Sequence, residues 1–352
     1  MQCLKFIFVG IIILLLYFTP VFSRGNGMNN DSIPILFDSE KVLELTFMLN
    51  LDSLYRGEYS EKKQYHGKIT GLNDAGHLYT IPVIFTKRGH FRKSFNVCDF
   101  PPLQVHFKHQ HTKETPFYGL KKIKMVTHCQ NNDSLYDQYV LQEYLFYKVY
   151  NILTDNSFKV RFAKVKYFDI SGKEDSLLNY AFFIENREDL ALRINGTLLN
   201  VHYLEPKAVD QYSCSLMTLF QYMIINQDWS ARLLHNVDLF GIYPSLKPIT
   251  VPFDFDMSWL INIPYNHPTL AYRLGKKPER SFSHEKTDRK AMSLAINKFK
   301  LKHEDILNLI HNNKLLNETN KAKILTSFQE FYQLLDNEHW VTRELLRPHK
   351  HR

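Results

Sequence analysis

Up to Asn186 the apolar residues of this chain recur mainly at every second position, and beyond it they recur mainly at every third or fourth. The first period belongs to strands with one buried face and the second to amphipathic helices. A chain that makes this change once reads as a mostly antiparallel sheet carrying one long helix, followed by a helical half. The strand-like runs are "VLELTFMLNL" (42–51), "HLYTIPVIFTKRG", "LQVHFK", "LKKIKMVT", "VRFAKVKYFDI" and "NYAFFIEN", separated by Gly, Asn and Asp turns. One segment interrupts them. In "SLYDQYVLQEYLFYKVYNIL" (134–153), Leu135, Tyr139, Leu145, Val149 and Leu153 return at helical intervals, which predicts one long helix. After the change come "KAVDQYSCSLMTLFQYMIIN" (207–226), read as a long apolar helix, and several amphipathic helices from Lys286 to Arg347. "HEDILNLIH" reads as a well-capped start, and Ile324, Phe328, Phe331 and Leu335 fall on one face. The expected fold class is α+β and two-lobed: a β-rich N-lobe over 37–188 with one long helix, then a mainly helical C-lobe over 189–348. The seam falls near Glu185 to Asp189.

The N-terminus reads differently from the rest. Lys5 precedes an apolar run from Phe6 to Phe18, followed by Pro20 and "VFS". That is the layout of a signal peptide over 1–23, with cleavage after Ser23; an uncleaved anchor is the alternative. Residues 24–36 then form a flexible leader. The body is expected to be secreted or periplasmic, where cysteines oxidise. A bond between Cys98 and Cys129 is plausible there, with Cys214 a buried thiol in an apolar helix.

With 352 residues, 44% of them hydrophobic, the chain can bury a large core. Its net charge of +8 is spread along the sequence, densest in "TKRGHFRK" and "FKHQHTKETPFYGLKKIKM". The two readings are a basic surface facing anionic lipid or polysaccharide, and a phosphate-binding cleft. Nucleic acid is not expected, because the interleaved aromatics sit in core-like strand patterns.

One stretch groups the residue types that phosphoryl transfer needs: "NQDWSARLLHNVDLFGIYPSLKPITVPFDFDMSW" (226–259). Transfer requires a cation against the phosphates, a carboxylate near the attacking hydroxyl and oxygen ligands for Mg²⁺. Asp228 follows a long helix and is placed to orient an acceptor hydroxyl. Asn236 is a candidate metal ligand, and "ITVPFDFD" reads as a strand delivering Asp254, with Leu239 and Phe240 on a partner strand. Each has a plainer explanation. Asp228 caps a helix, Asn236 makes a turn, Asp254 and Asp256 share one strand face as a Ca²⁺ site or a salt-bridged pair, Glu143 makes a structural ion pair, and Arg88 with Gly89 forms a bulge.

The segment "QDWSARLLHNVDLF…ITVPFDFDMSW" resembles the CotH family of secreted atypical kinases, in which an Asp, a downstream Asn opening a strand and a D-x-D follow in order. "TKRGHFRKSF" looks like that family's Arg-Gly-rich segment, and "GLKKIKMV", the helix holding Glu143 and "YAFFIENRED" continue in family order over roughly residues 80 to 262. "CDFPPL" and "DFD" are also similar to segments of uncharacterised secreted bacterial proteins. The resemblance implies a kinase-like bilobal fold that binds ATP with Mg²⁺ or Mn²⁺ and phosphorylates a protein or glycan. It implies Asp228 as catalytic base, Asn236, Asp254 and Asp256 as metal ligands, and Glu143 paired with a phosphate-binding lysine, Lys124 or Lys108. Arg88 joins that nucleotide-binding set. The chain lacks a glycine-rich phosphate loop, and its Asp228-to-Asn236 spacing is longer than in ordinary protein kinases.

Two other classes compete. One is a non-catalytic binding or scaffold protein of the cell envelope with the same fold, with a membrane surface among its candidate partners. The other is a hydrolase with two carboxyls opposed across a cleft. Sixteen histidines and "HFKHQH" (106–111) invite a metal reading, yet His106 and His109 would face opposite sides of a strand. His235, next to Asn236, either assists in the site or packs, with packing the favoured reading, and Trp229 and Trp259 read as core.

Overall fold

The computed structural model of the chain describes residues 34–57, 62–89, 98–265, 280 and 288–346. The proposed signal peptide, and the leader up to residue 33, lie outside the described residues. The first turn inside them, Ile35–Phe37, buries Leu36 and Phe37.

The front half is mixed in structure and β-rich, and its strands close into a barrel. β1 (Leu43–Leu49), β2 (Tyr65–Leu72), β3 (Leu78–Lys87), β4 (Leu103–Phe107), β5 (Lys122–Thr127), β6 (Val160–Asp169) and β7 (Leu177–Ile184) run in the order β1-β2-β3-β4-β5-β7-β6. All neighbours are antiparallel except β1 and β6, whose parallel pairing from Leu43↔Ala163 to Leu49↔Asp169 closes the ring. Alternation drives this arrangement: in β1 the odd positions Leu43, Leu45, Phe47 and Leu49 are buried. They fill the interior with Phe85, Tyr167 and Phe183. A short helix α1 (Leu51–Arg56) is capped by Asn50, whose Oδ1 accepts from Ser53 N at 2.7 Å.

The periodicity gives no sign of β2, because "YHGKITGL" carries two glycines. Those glycines are packing residues: a Cβ on Gly67 would sit 2.5 Å from the carbonyl oxygen of Met48, and one on Gly71 would sit 2.7 Å from the Tyr79 hydroxyl. The neighbouring backbone and ring fill the space a side chain would need.

α2 (Ser134–Leu153) lies against the barrel, with Asp133 Oδ1 accepting from Leu135 N at 2.9 Å at its start. Its burial extends almost all round, since the second half of the chain covers its other side; Leu135, expected on the buried stripe, is exposed. α3 (Arg187–Arg193) opens the second half. There Glu185 receives Arg193 Nε and Nη2, both at 2.8 Å, so the seam is held by a forked ion pair.

α4 (Gln211–Met223) begins later than the sequence pattern suggests, because Asp210 caps it: Oδ1 accepts from Ser213 N at 2.7 Å. α5 (Arg289–Leu301), α6 (His303–His311) and α7 (Glu318–Asp336) follow, and two short helical turns, Glu338–Trp340 and Val341–Leu345, come after them. Contrary to the sequence reading, α6 has no side-chain cap; Lys302 precedes it directly as α5 ends. The α7 residues Ile324, Phe328, Phe331 and Leu335 are buried as expected. This half also holds a three-stranded antiparallel sheet of β8 (Gly196–Leu198), β9 (Val237–Ile242) and β10 (Ile249–Pro252) in the order β10-β9-β8. No helix among the described residues is long and apolar enough to cross a membrane.

Candidate active site

Between the barrel and the β9–β10 hairpin lies a cleft of about 340 Å³. The barrel side contributes Arg88 just past β3, and α2 contributes Glu143. The other side contributes Asp228, His235, Asn236, Asp254 and Asp256. Six of the eight residues singled out from the sequence thus line one space. The two lysines do not.

Two loops build the far side, and they are tied to each other at both ends. Phe253 N donates to Asn236 O at 3.1 Å, and Trp259 N donates to Ile225 O at 3.1 Å. Within the first loop, Ser230 and His235 exchange backbone hydrogen bonds at 3.0 Å, closing a tight turn. Asp228 caps no helix; its partners belong to this turn. Its Oδ1 lies 2.8 Å from His235 Nε2, and its Oδ2 accepts from Asn236 Nδ2 at 3.0 Å. Asn236 Nδ2 also donates to the Asp228 carbonyl at 2.8 Å. Because Nδ2 makes both donations, the amide's Oδ1 remains as its acceptor face. His235 is therefore not a packing residue: its side chain is 56% exposed and bonded to Asp228, which is 41% exposed.

The backbone here is held in an uncommon conformation. Ile225, Leu234, Asn236 and Asp254 all have φ between 50° and 63°. For residues with a Cβ this left-handed region costs on the order of 1 kcal/mol or more each, and it persists where the surroundings impose it. β10 ends at Pro252, so Asp254 and Asp256 do not share a strand face as expected. They sit on an irregular loop, where Tyr265 Oη donates to Asp256 Oδ2 at 3.0 Å.

Helix α2 fixes the second loop. Asp254 N donates to Tyr147 Oη at 2.8 Å, and the Phe255 ring, fully buried, sits 4.6 Å from the Tyr147 ring and 5.1 Å from that of Phe220. Tyr147 lies one turn after Glu143, so a single helix places both. Burial holds the Tyr147 phenol well above its ordinary pKa, with the charges of Glu143 and Asp254 adding to the rise.

Arg88 N donates to Pro102 O, and its Nη2 donates to Met125 O at 3.3 Å. Gly89 beside it has φ 88°, a conformation open to glycine at little cost. Lys124, on the outward side of β5, is half-buried at the seam. Burial, together with the nearby cations Arg187 and Arg88, lowers its pKa to about 8. Its neighbours are thus Arg88 and the Arg187–Asp238 ion pair. Lys108 is exposed just past β4 and does not line the cleft. The cation that does is Arg88.

Cys98 and Cys129 form a disulfide, and Phe100 N donates to Cys129 O at 3.0 Å, tying the approach to β4 to the end of β5. Cys214 is a buried free thiol. Trp229 is core, and Trp259 is partly buried. His106 lies 3.1 Å from Thr86 Oγ1, within the barrel wall.

Among the described residues no three His, Cys, Asp or Glu side chains are gathered into a ready-made metal cage. Mg²⁺ held largely by substrate phosphates needs only one or two protein carboxylates, and an amide oxygen with one carboxylate is a suitable donor set. Asn236 and Asp254, which line the same cleft, are an amide and a carboxylate of that kind.

No known family model matches the chain, and no curated protein matches it. Among solved structures it is similar to the Helicobacter pylori proinflammatory kinase CtkA, with 12% identity, a TM-score of 0.39, and coverage of 74% of this chain and 97% of that one. The chemistry of the cleft has to be read from its own atoms.

Proposed function

We propose that the chain is an extracytoplasmic phosphotransferase of the CotH-like, kinase-like type, binding ATP with Mg²⁺ or Mn²⁺ in this cleft and phosphorylating a hydroxyl of a protein or glycan. The observation that carries the reading is the convergence of Asp228, Asn236 and Asp254, on two cross-tied loops, opposite Arg88. Bound ATP with its metal supplies the transferable phosphoryl group and offsets its charge. The chain's residues do the positioning.

Arg88 is the phosphate-contacting cation in this reading; its planar guanidinium suits two phosphate oxygens at once. Glu143 lines the same side as the helix carboxylate. Asn236 Oδ1 and the Asp254 carboxylate would hold the metal, with Asp256 two residues further along the same loop. Asp228 receives the proton of the acceptor hydroxyl, since each of its oxygens keeps a lone pair beside its existing bond. His235 orients that carboxylate through Oδ1. The secreted or periplasmic location is supported by the N-terminal sequence and by the Cys98–Cys129 disulfide, which persists in an oxidising compartment.

The test is calorimetric titration of ATP with Mg²⁺ or Mn²⁺ into the protein and into Asp254→Ala. Metal-dependent binding, lost in the variant, is the expected result. An absence of heat from folded wild-type protein would overturn the reading. One observation favours a non-catalytic envelope scaffold that binds nucleotide without transfer: both Asp228 oxygens are already engaged. Nucleotide binding without phosphate transfer to any acceptor, in a protein whose Asp228→Asn variant behaves the same, would select that alternative.

A further inference from the structure

The barrel mouth remote from the cleft carries a second recess. β1 and β6 begin there and the β2–β3 hairpin turns there, and together they enclose a groove of about 600 Å³. Ligand sites commonly span about 300–1,000 Å³. β3 starts in this groove at Leu78 and hands over to Arg88 in the cleft, which puts the two recesses roughly 30 Å apart along the strand.

Arg161, second residue of β6, is part of the groove wall and only 4% exposed. It falls on the buried alternation with Ala163 and Val165, close to the start of the strand. Its Nε is buried without a hydrogen-bond partner. The carboxylates that it feels, Asp74 and Glu40, act through space, and Glu40 is already bonded to Lys148 at 2.6 Å. Burial alone penalises the guanidinium's charge. A buried cation lacking a hydrogen-bonded counter-charge is costly, and an incoming anion offsets that cost.

The rim repeats the preference. Lys41, Arg161, Lys164 and Lys166 line the groove against the carboxylates Glu44 and Asp74, four cations against two acids. Between them stand exposed aliphatic side chains: Leu72 paired across the hairpin with Leu78, and Leu178 paired with Lys166. Leu72 and Leu78 thus form one apolar pair at the hairpin, and Leu178 stands apart from it on β7 beside Lys166. Such spacing suits alternating side chains of an extended peptide, whereas an acyl chain needs one continuous apolar slot.

We propose that this groove binds an extended acidic segment of a partner protein, with a carboxylate seated on Arg161 and flanking aliphatic side chains on Leu72, Leu78 and Leu178. The site stands independently of phosphoryl transfer in the cleft.

The test is fluorescence anisotropy of a labelled peptide of alternating Leu and Glu, titrated with the full chain. Arg161→Met, a Lys164→Gln/Lys166→Gln variant and a Leu/Gln control peptide run alongside. Expected are saturable binding that weakens with added salt, at least a tenfold loss in Arg161→Met, a smaller loss in the lysine variant, and no binding of the control peptide. Thermal unfolding checks that Arg161→Met is folded; if it is not, the lysine variant, altered only at exposed side chains, decides. Absence of binding by the wild type, or equal binding by the lysine variant, overturns the proposal. So does retention on anionic phospholipid vesicles, lost in the same variants, with no peptide binding; that outcome assigns the groove to a membrane surface.

Discussion

At the scale of single residues, the Asp228 carboxylate is held from two sides by His235 and Asn236. If it takes the acceptor proton, Asp228→Asn keeps metal-dependent nucleotide binding and loses transfer by roughly 10²–10⁴-fold, the usual worth of a general base. His235→Ala removes one hydrogen bond to a charged group, a loss of about 1.5–3 kcal/mol, so transfer should fall by roughly ten- to a hundredfold with nucleotide affinity little changed. Transfer and calorimetry on the two variants separate these roles; unchanged transfer in Asp228→Asn refutes the assignment. Lys124 gives a different kind of prediction. Its folded pKa lies near 8, below the ordinary lysine value, because of burial and then Arg187 and Arg88. The folded protein therefore releases this proton before the unfolded chain does, and between about pH 8 and the ordinary lysine range stability rises with pH. Thermal midpoints of wild type and Lys124→Met measured across that window should converge as pH rises. Parallel curves would show that the lysine is not strained.

At the scale of elements, α2 has the plainest double duty: Glu143 lines the cleft, and one turn later Tyr147 receives Asp254 N and stacks on Phe255. Tyr147→Phe keeps the ring and removes the acceptor, leaving that N–H without its partner. It should cost about 1–3 kcal/mol of stability and weaken metal-dependent nucleotide binding, because the φ 63° conformation of Asp254 loses its tether. Denaturant unfolding and calorimetry read the two effects; loss of neither would mean that the loop holds itself. The helix and Glu143 were legible in the sequence, because a 20-residue run at helical period is a strong signal. Tyr147's part was not, since an aromatic on a buried helix reads as core whether or not its hydroxyl has a task. Strand β2 escaped for a related reason: its glycines answer to the Met48 carbonyl and the Tyr79 ring, neighbours that no local pattern announces. His235 was misread as packing because one imidazole in a turn carries no period at all.

At the scale of the whole molecule, the change of hydrophobic period near Asn186 falls where the β-rich part gives way to the later helices, and the order of polar residues after it pointed to the two loops that meet. Barrel closure was not legible, because it rests on the parallel pairing of β1 with β6, more than a hundred residues apart, and alternation states which face is buried but never which strand is the neighbour. The same long-range logic makes the disulfide a test of how the cleft is held. Cys98–Cys129 closes a separation of 31 residues that includes β4 and β5. On a chain-entropy basis a loop of that size contributes about 3–4 kcal/mol. Beside it, Thr127 Oγ1 donates to Pro101 O at 3.0 Å and Phe100 N to Cys129 O, so the bond braces Pro102 and Val126, which line the barrel side of the cleft. Reduction, or a Cys98→Ser/Cys129→Ser variant, should lower the denaturant midpoint by an amount matching that contribution and also weaken nucleotide binding. A reductant should have no further effect on the variant. If stability falls while nucleotide affinity stays fixed, the hydrogen bonds alone hold the cleft wall, and the disulfide serves only the stability of the fold.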